Sequence, residues 1–300
     1  MTHPRAVRQT GLSLIELMIA ITLSSLLMLG VVQIFLSSKS TYTSNQALSA
    51  IQESGRFAIE LMARDIRNTG YKGQCLSLPT NHLEDGADEL WTMQGEPLQG
   101  WDGAPPDFIS SDVVAGSHVL FIQFATGGTD VEGAVGNSAA SNTLELDWEL
   151  DAAIASGEVV LISDGLGCDL FENTSDAADA IAKTGGSNWS YDYTGEFEVL
   201  IFQSLAYYVA EDEEGVATLY RSRFHPDLTG ESAEALVPGV ASLNLEYGIS
   251  TDRVVDEYVS ASAVTSWGEV AAIRLTLGIE ASSGLTQEFS TTIGLRNRLP

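Results

Sequence analysis

The chain has 300 residues, 44% of them hydrophobic and 18% charged, which is enough apolar surface to bury a core and excludes a disordered chain. Two cysteines exclude a disulfide-rich scaffold and a four-cysteine zinc site, and the four histidines, His3, His82, His118 and His225, show no metal-ligand spacing. The formal charge of −27 repels phosphate backbones and excludes direct nucleic-acid binding through the body of the protein.

The acidity is uneven. Residues 1–73 carry seven basic and four acidic side chains, net +3, and residues 74–300 carry seven basic and 37 acidic, net −30, so two regions meet near residue 73. The chain opens on MTHPRAVRQTG, residues 1–11, which is short, polar and basic. Leu12–Leu36 follows, 25 residues whose one charge is Glu16. As a helix rising about 1.5 Å per residue it spans roughly 37 Å, more than the ~30 Å of bilayer hydrocarbon. Arg5 and Arg8 precede it and only Lys39 follows closely, which orients the N-terminus to the cytoplasm and the body away from it. This is not a secretory signal, because the processing point, Gly11, precedes the apolar run and the helix is kept after cleavage. A carboxylate in such a run costs about 2.5–3.5 kcal/mol on insertion scales. A plain anchor has no use for that cost, whereas in a packing interface the free N-terminal amine of a neighbouring helix can pair with Glu16.

Gly11-Leu12-Ser13-Leu14-Ile15-Glu16 resembles the prepilin processing motif of type IV pilins and type II secretion pseudopilins. The resemblance implies that a prepilin peptidase cuts between Gly11 and Leu12, that Leu12 is N-methylated, and that Glu16 docks the subunit into a filament. Leu12 stands where that family more often has Phe.

No proline occurs between residues 5 and 78, so nothing covalent interrupts a helix there. Beyond Leu36 the pattern turns amphipathic: Leu48, Ile51, Gly55, Ala58, Met62 and Ile66 follow at spacings of three or four, widened by Ile59 and Leu61. Asn68-Thr69-Gly70 is a stop signal with Gly70 at the left-handed cap position. One helix is therefore expected from about Leu12 to Asn68, with residues 12–36 in the membrane or filament core and 37–73 as an amphipathic spine and its end.

Residues 74–300 read as strands. The expected segments are His118–Ala125, Thr143–Leu150, Glu158–Ser163, Val199–Val209, Ala217–Phe224, Ala241–Ile249, Val270–Ala281 and Thr286–Leu295, bounded by Gly, Asp and Asn. Thr143–Leu150 alternates most cleanly, with Leu144, Leu146, Trp148 and Leu150 on one face. Residues 80–116 and 126–142 read as loops, and Asp176–Asn188 as a loop or a short helix. Glu211-Asp212-Glu213-Glu214 before Gly215 is a charged hairpin tip, without the ligand spacing of an EF-hand. The fold class is α+β: a long N-terminal helix packed on antiparallel sheet.

Cys75 and Cys168 fall in the part placed outside the cytoplasm, where oxidation is the norm. They either pair, tying the end of the spine helix to the loop after Glu158–Ser163, or remain two free buried thiols. Trp148 and Trp267 belong to strand patterns and are expected in the core. Trp91, Trp101 and Trp189 lie in loop-like stretches, buried under them or presented to a partner. No nucleotide, hydrolase or metalloprotease motif occurs, paired acids are as frequent as chance in so acidic a chain, and no enzymatic activity, cofactor or metal is expected.

The C-terminal part adds a second resemblance. Ile162-Ser163-Asp164-Gly165 through Cys168, Thr218-Leu219-Tyr220-Arg221-Ser222-Arg223, Gly239-Val240 through Tyr247-Gly248, Trp267 through Ile273-Arg274-Leu275, and Leu295-Arg296-Asn297-Arg298 resemble the PilW family of minor pilins. The resemblance is close over 11–73 and good over 158–300, while 80–157 looks like a variable insertion. It implies an inner-membrane protein whose body lies in the periplasm. With other minor pilins it primes assembly of the major pilin, then stays at the extracellular pilus tip, where the family can carry a large adhesin. A J-like minor pseudopilin of a type II secretion system shares the N-terminal motif, and a membrane-anchored periplasmic binding or enzymatic domain is the third reading.

Overall fold

The computed structural model describes residues 13–83, 95–148, 150, 153–224, 232–251, 254–281 and 283–297. Gly11 and Leu12 lie outside the described residues, as do Trp91, His3 and His225. The chain divides into two compact units, residues 1–50 and 51–300.

Helix α1 runs from Leu14 to Asn68, close to the expected span. In the first unit it is an apolar rod: Leu14, Leu26, Leu27, Met28, Leu29, Ile34 and Phe35 are all more than 60% exposed. The hydroxyls of Thr22, Ser25, Thr41 and Thr43 donate back to helix carbonyls three or four residues earlier. Those bonds satisfy the hydroxyls within the helix itself.

In the second unit the rest of α1 buries Ile51, Gly55, Ala58, Met62, Ala63, Asp65 and Ile66. This is the predicted stripe from Ile51 onward, whereas Leu48, its expected first member, is 39% exposed. The helix ends as anticipated, with Gly70 at φ +76 and its N–H donated to the Gln123 carbonyl.

The strands follow as β1 (Thr80–Asn81), β2 (Leu98–Trp101), β3 (Val119–Glu132), β4 (Thr143–Glu145), β5 (Val159–Ser163), β6 (Cys168–Glu172) and β7 (Ala180–Ala182). Then come β8 (Glu196–Glu211), β9 (Ala217–Arg223), β10 (Ser232–Pro238), β11 (Val240–Ile249), β12 (Glu257–Val259), β13 (Val270–Glu280) and β14 (Thr286–Gly294). A large sheet has the order β1-β6-β5-β8-β3-β2, with β9 and β10 added beside the second half of β8. A second sheet is ordered β12-β11-β13-β14, and β4 pairs with β7. All pairings are antiparallel except β1 with β6.

The main core joins both larger sheets to α1. Ile51, Ala58, Met62 and Ile66 share one cluster with Leu120, Ile122, Phe124, Leu205 and Tyr207 of the large sheet and Leu243, Leu245, Ile273, Leu275 and Leu277 of the second. Strand β8 is covered on both faces: Leu205, Tyr207 and Val209 face that core, while Ala206, Tyr208 and Ala210 face another with Val119, Phe121 and Phe224. Two covered faces explain its unbroken apolar run, where a half-exposed strand would alternate.

Four expectations need correction. The 126–142 loop instead begins with seven residues of β3, which continues past a register shift between Thr126 and Thr129. Gly127, at φ +71, supplies the bulge that a sequence reading takes for a turn. The strand Thr143–Leu150 stops at Glu145. Its partner β7 is three residues long, and Asp147 N–H turns away to the Glu132 carbonyl, so Trp148 is 57% exposed while Leu144 and Leu146 stay buried. The 80–116 stretch contains β1 and β2, and Asp176–Asn188 contains β7 and no helix. Trp189 is buried, Trp101 and Trp267 half-buried. The tip after Glu211 forms as expected, with Asp212 Oδ1 accepting from the N–H groups of Glu214 and Val216 and Gly215 at φ +75.

Candidate functional site

The first unit holds the predicted assembly segment. Glu16 stands in the first turn of α1 and is exposed. Ala20 and Ser24 follow it at four-residue intervals, so the carboxylate sits at the head of a stripe of small side chains, the surface over which two helix backbones can approach closely. α1 is the one helix among the described residues long and apolar enough to cross a membrane. A bare apolar surface of that size needs lipid or other helices over it.

In the second unit the spine is fastened by a device that sequence periodicity did not reveal. Asp65 is 5% exposed although it lies one turn from the helix C-terminus, where the helix dipole disfavours a negative charge. Its Oδ2 accepts from the Tyr207 hydroxyl at 2.6 Å, and the Arg221 guanidinium lies 3.7 Å away. Arg221 in turn donates to Glu234 at 2.7 Å. One carboxylate on α1 thereby engages β8 directly and β9 and β10 through Arg221. Burial, then the Asp65 charge, pushes the Tyr207 phenol well above its ordinary value, so it stays a donor. The signal available in the sequence was an acid within the apolar face of a helix. Gly55 is the second fastening: a Cβ there would stand 2.6 Å from two atoms of the Phe289 ring on β14, so a side chain at 55 needs that ring to move.

Cys75 and Cys168 are bonded to each other, with Cα atoms 5.7 Å apart, so the pairing expectation holds over the free-thiol one. Among the described residues no three of His, Cys, Asp and Glu gather as a metal site.

Two family models match the chain. Residues 7–32 match the family described as Prokaryotic N-terminal methylation motif, and residues 206–290 match that described as Type IV Pilus-assembly protein W. No curated protein and no solved structure is significantly similar. The first match spans Gly11, Leu12 and Glu16. The second begins inside β8 and ends inside β14, a narrower span than the quoted resemblances. It supplies Tyr207 and Arg221, and most of the core that receives the helix: Leu219, Leu243, Leu245, Tyr247, Ile273, Leu275, Leu277 and Ile279.

Proposed function

We propose that this chain, a type IV pilin-like protein with an N-methylation motif and a PilW domain, is a minor pilin that helps to initiate type IV pilus assembly and sits at or near the pilus tip. One observation carries the reading: a methylation motif at the head of an exposed apolar helix, in the same chain as a PilW segment that packs against the continuation of that helix. The PilW match over residues 206–290 favours a pilus over a type II secretion pseudopilin, whose J-like subunits share the N-terminal motif and a large β-rich body.

In this reading prepilin peptidase cuts between Gly11 and Leu12, and Leu12 is methylated. Before assembly α1 anchors the chain in the inner membrane with its body in the periplasm. Glu16 then pairs with the N-terminal amine of a neighbouring subunit as the helix leaves lipid for the filament core, where the low dielectric strengthens the pairing. The partners are the other minor pilins, the major pilin and, at the tip, a large adhesin. A body at net −30 repels copies of itself, which suits a subunit present once or a few times per filament. The role is structural, and no step of it asks for catalysis by this chain.

Mass spectrometry of the N-terminal peptide tests the reading, on sheared pili and on the inner-membrane fraction. The expected species is an N-methylated peptide beginning at Leu12, present in pili at trace stoichiometry. Gly11→Val should leave the precursor uncleaved, and Glu16→Val should be cleaved but assemble poorly. An intact Met1 end in both fractions would overturn the proposal.

A further inference from the structure

The polar side chains that assembly leaves unused converge on Asp169 of β6. This residue has no exposed surface, and it accepts from His82 Nε2 at 2.5 Å, from the Tyr193 hydroxyl at 2.6 Å, and from both the N–H and the hydroxyl of Ser190. A carboxylate only accepts, so His82 Nε2 carries a proton, and in the neutral ring Nδ1 is then the acceptor. That Nδ1 lies 2.9 Å from Ser187 Oγ, so the Ser187 hydroxyl donates to it.

The elements around this chain of bonds fix it in place. The His82 side chain is 2% exposed and packs against the edge of the Trp189 ring. Lys183, the one lysine or arginine between 74 and 220, donates to the Ser187 carbonyl at 2.6 Å with its ammonium 4.7 Å from the centre of Trp189. Tyr193 is buried at φ +50, a left-handed conformation that is costly for a bulky residue and is stored where structure over-determines it. Ser187, by contrast, is exposed, as are residues 184–188 around it, and a Cβ on Gly186 would meet nothing within 4 Å. The N–H groups of Ser187 and Asn188 have no acceptor among the described residues. A buried acid orients a buried imidazole whose free nitrogen takes the proton of an accessible hydroxyl, which is the arrangement that activates a serine.

We propose that Ser187 is an acyl-accepting nucleophile with His82 as its general base and Asp169 as the positioning carboxylate. Its substrate class is an unhindered carboxylic ester, since Ser187 and the residues on either side of it are exposed. Ser187 Oγ bonds to the ester carbonyl carbon as its proton passes to His82 Nδ1, and the alcohol leaves with that proton. Water then attacks the acyl group and gives a proton to His82. The Oγ–carbon bond breaks, and Ser187 regains its hydrogen from His82. The net change is ester plus water to acid plus alcohol, with no other reactant. The cluster lies outside both family-matched segments, so it stands or falls independently of the assembly role.

The test uses the full chain in detergent with its disulfide intact, a fluorophosphonate probe, and p-nitrophenyl acetate as ester. The expected result is a label located on Ser187 by peptide mass spectrometry and absent from Ser187→Ala, whose circular dichroism spectrum should match the parent's. His82→Gln should slow labelling and ester hydrolysis at least about 100-fold, the low end of what a general base supplies. Labelling no greater than in Ser187→Ala, or insensitive to His82→Gln, overturns the proposal. If His82→Gln does not fold, the comparison of the parent with Ser187→Ala decides alone.

Discussion

Two buried tyrosines separate a hydrogen bond that holds the spine helix from one that does not exist. Tyr207 Oη donates to the Asp65 carboxylate at 2.6 Å, and both residues are buried. Tyr247 Oη is equally buried and has no hydrogen-bond partner among the described residues. Tyr207→Phe keeps the ring but leaves Asp65 with Arg221 at 3.7 Å and a largely exposed Arg64 at 3.4 Å. Hydrogen bonds to charged groups contribute about 1.5–3 kcal/mol, and an orphaned buried acceptor adds to the loss, so a cost of about 2–3 kcal/mol is expected. Tyr247→Phe removes a hydroxyl already desolvated without compensation, so its effect should be close to zero or stabilising. At roughly 2–4 °C per kcal/mol for a body of this size, Tyr207→Phe should lower the thermal midpoint by about 4–12 °C and Tyr247→Phe should not lower it. Circular dichroism melting of the two variants at neutral pH reads the difference. Adding Asp65→Asn to Tyr207→Phe should show a coupling of at least about 0.5 kcal/mol. Equal drops for the two phenylalanine variants would refute the assignment of Asp65 as the helix fastening.

Alkali tests the same tyrosines as a group. Burial raises the phenols of Tyr193, Tyr207 and Tyr247 far above their ordinary value, helped by the charges of Asp169, Asp65 and Asp102 respectively. The unfolded chain then binds fewer protons than the folded one above pH about 10, so stability is full below that pH and falls as pH rises beyond it. Each tyrosine contributes up to about 1.4 kcal/mol per pH unit, and denaturant midpoints between pH 9 and 11.5 measure the slope. At Gly55, alanine should not deliver the ~1 kcal/mol that replacing a helical glycine normally gives, because the Phe289 ring must give way. Leucine there should cost about 1–3 kcal/mol, and Phe289→Ala beside Gly55→Ala should restore the gain.

What the sequence disclosed depended on how local the cause was. The helix, its buried face from Ile51 to Ile66 and its Gly70 cap are set by spacings within a few residues, and all were legible. So were the cores of β3, β5, β8, β9, β11, β13 and β14. Trp148 shows the limit. Alternation places it with Leu144 and Leu146, yet the short partner strand and the turn of Asp147 toward Glu132 override the pattern. The bulge at Gly127 misleads in the opposite direction, since a glycine pair inside a strand looks like its end. Strand β6 was hidden because its five residues include Asp169, whose burial makes sense only with His82, Ser190 and Tyr193 around it. His82 is 87 residues from Asp169 and 105 from Ser187, beyond the reach of any spacing rule.

The disulfide connects these two kinds of information. Cys75 lies just beyond the helix end and Cys168 directly precedes Asp169, so the bond holds the chain leading to His82 against the strand that carries its acceptor. The other backbone ties there are slight, leaving the His82 ring contacts aside: β1 is two residues long, pairing Thr80 with Asp169 and Asn81 with Leu170, and the N–H of His82 donates to the Leu170 carbonyl. So short a strand cannot hold its register alone. Closing a separation of 93 residues contributes roughly 4–5 kcal/mol in the chain-entropy account, and often less in practice. The paired variant Cys75→Ser/Cys168→Ser should therefore lose at least about 5 °C in thermal midpoint. Its amide exchange should accelerate most at Asn81 and His82, with β11 and β13 protected as before, because the core around α1 contains neither cysteine. A midpoint within a degree of the parent, with His82 equally protected, would show that packing alone positions this segment. Loss of protection throughout the body would show instead that the disulfide is required for the α1 core itself.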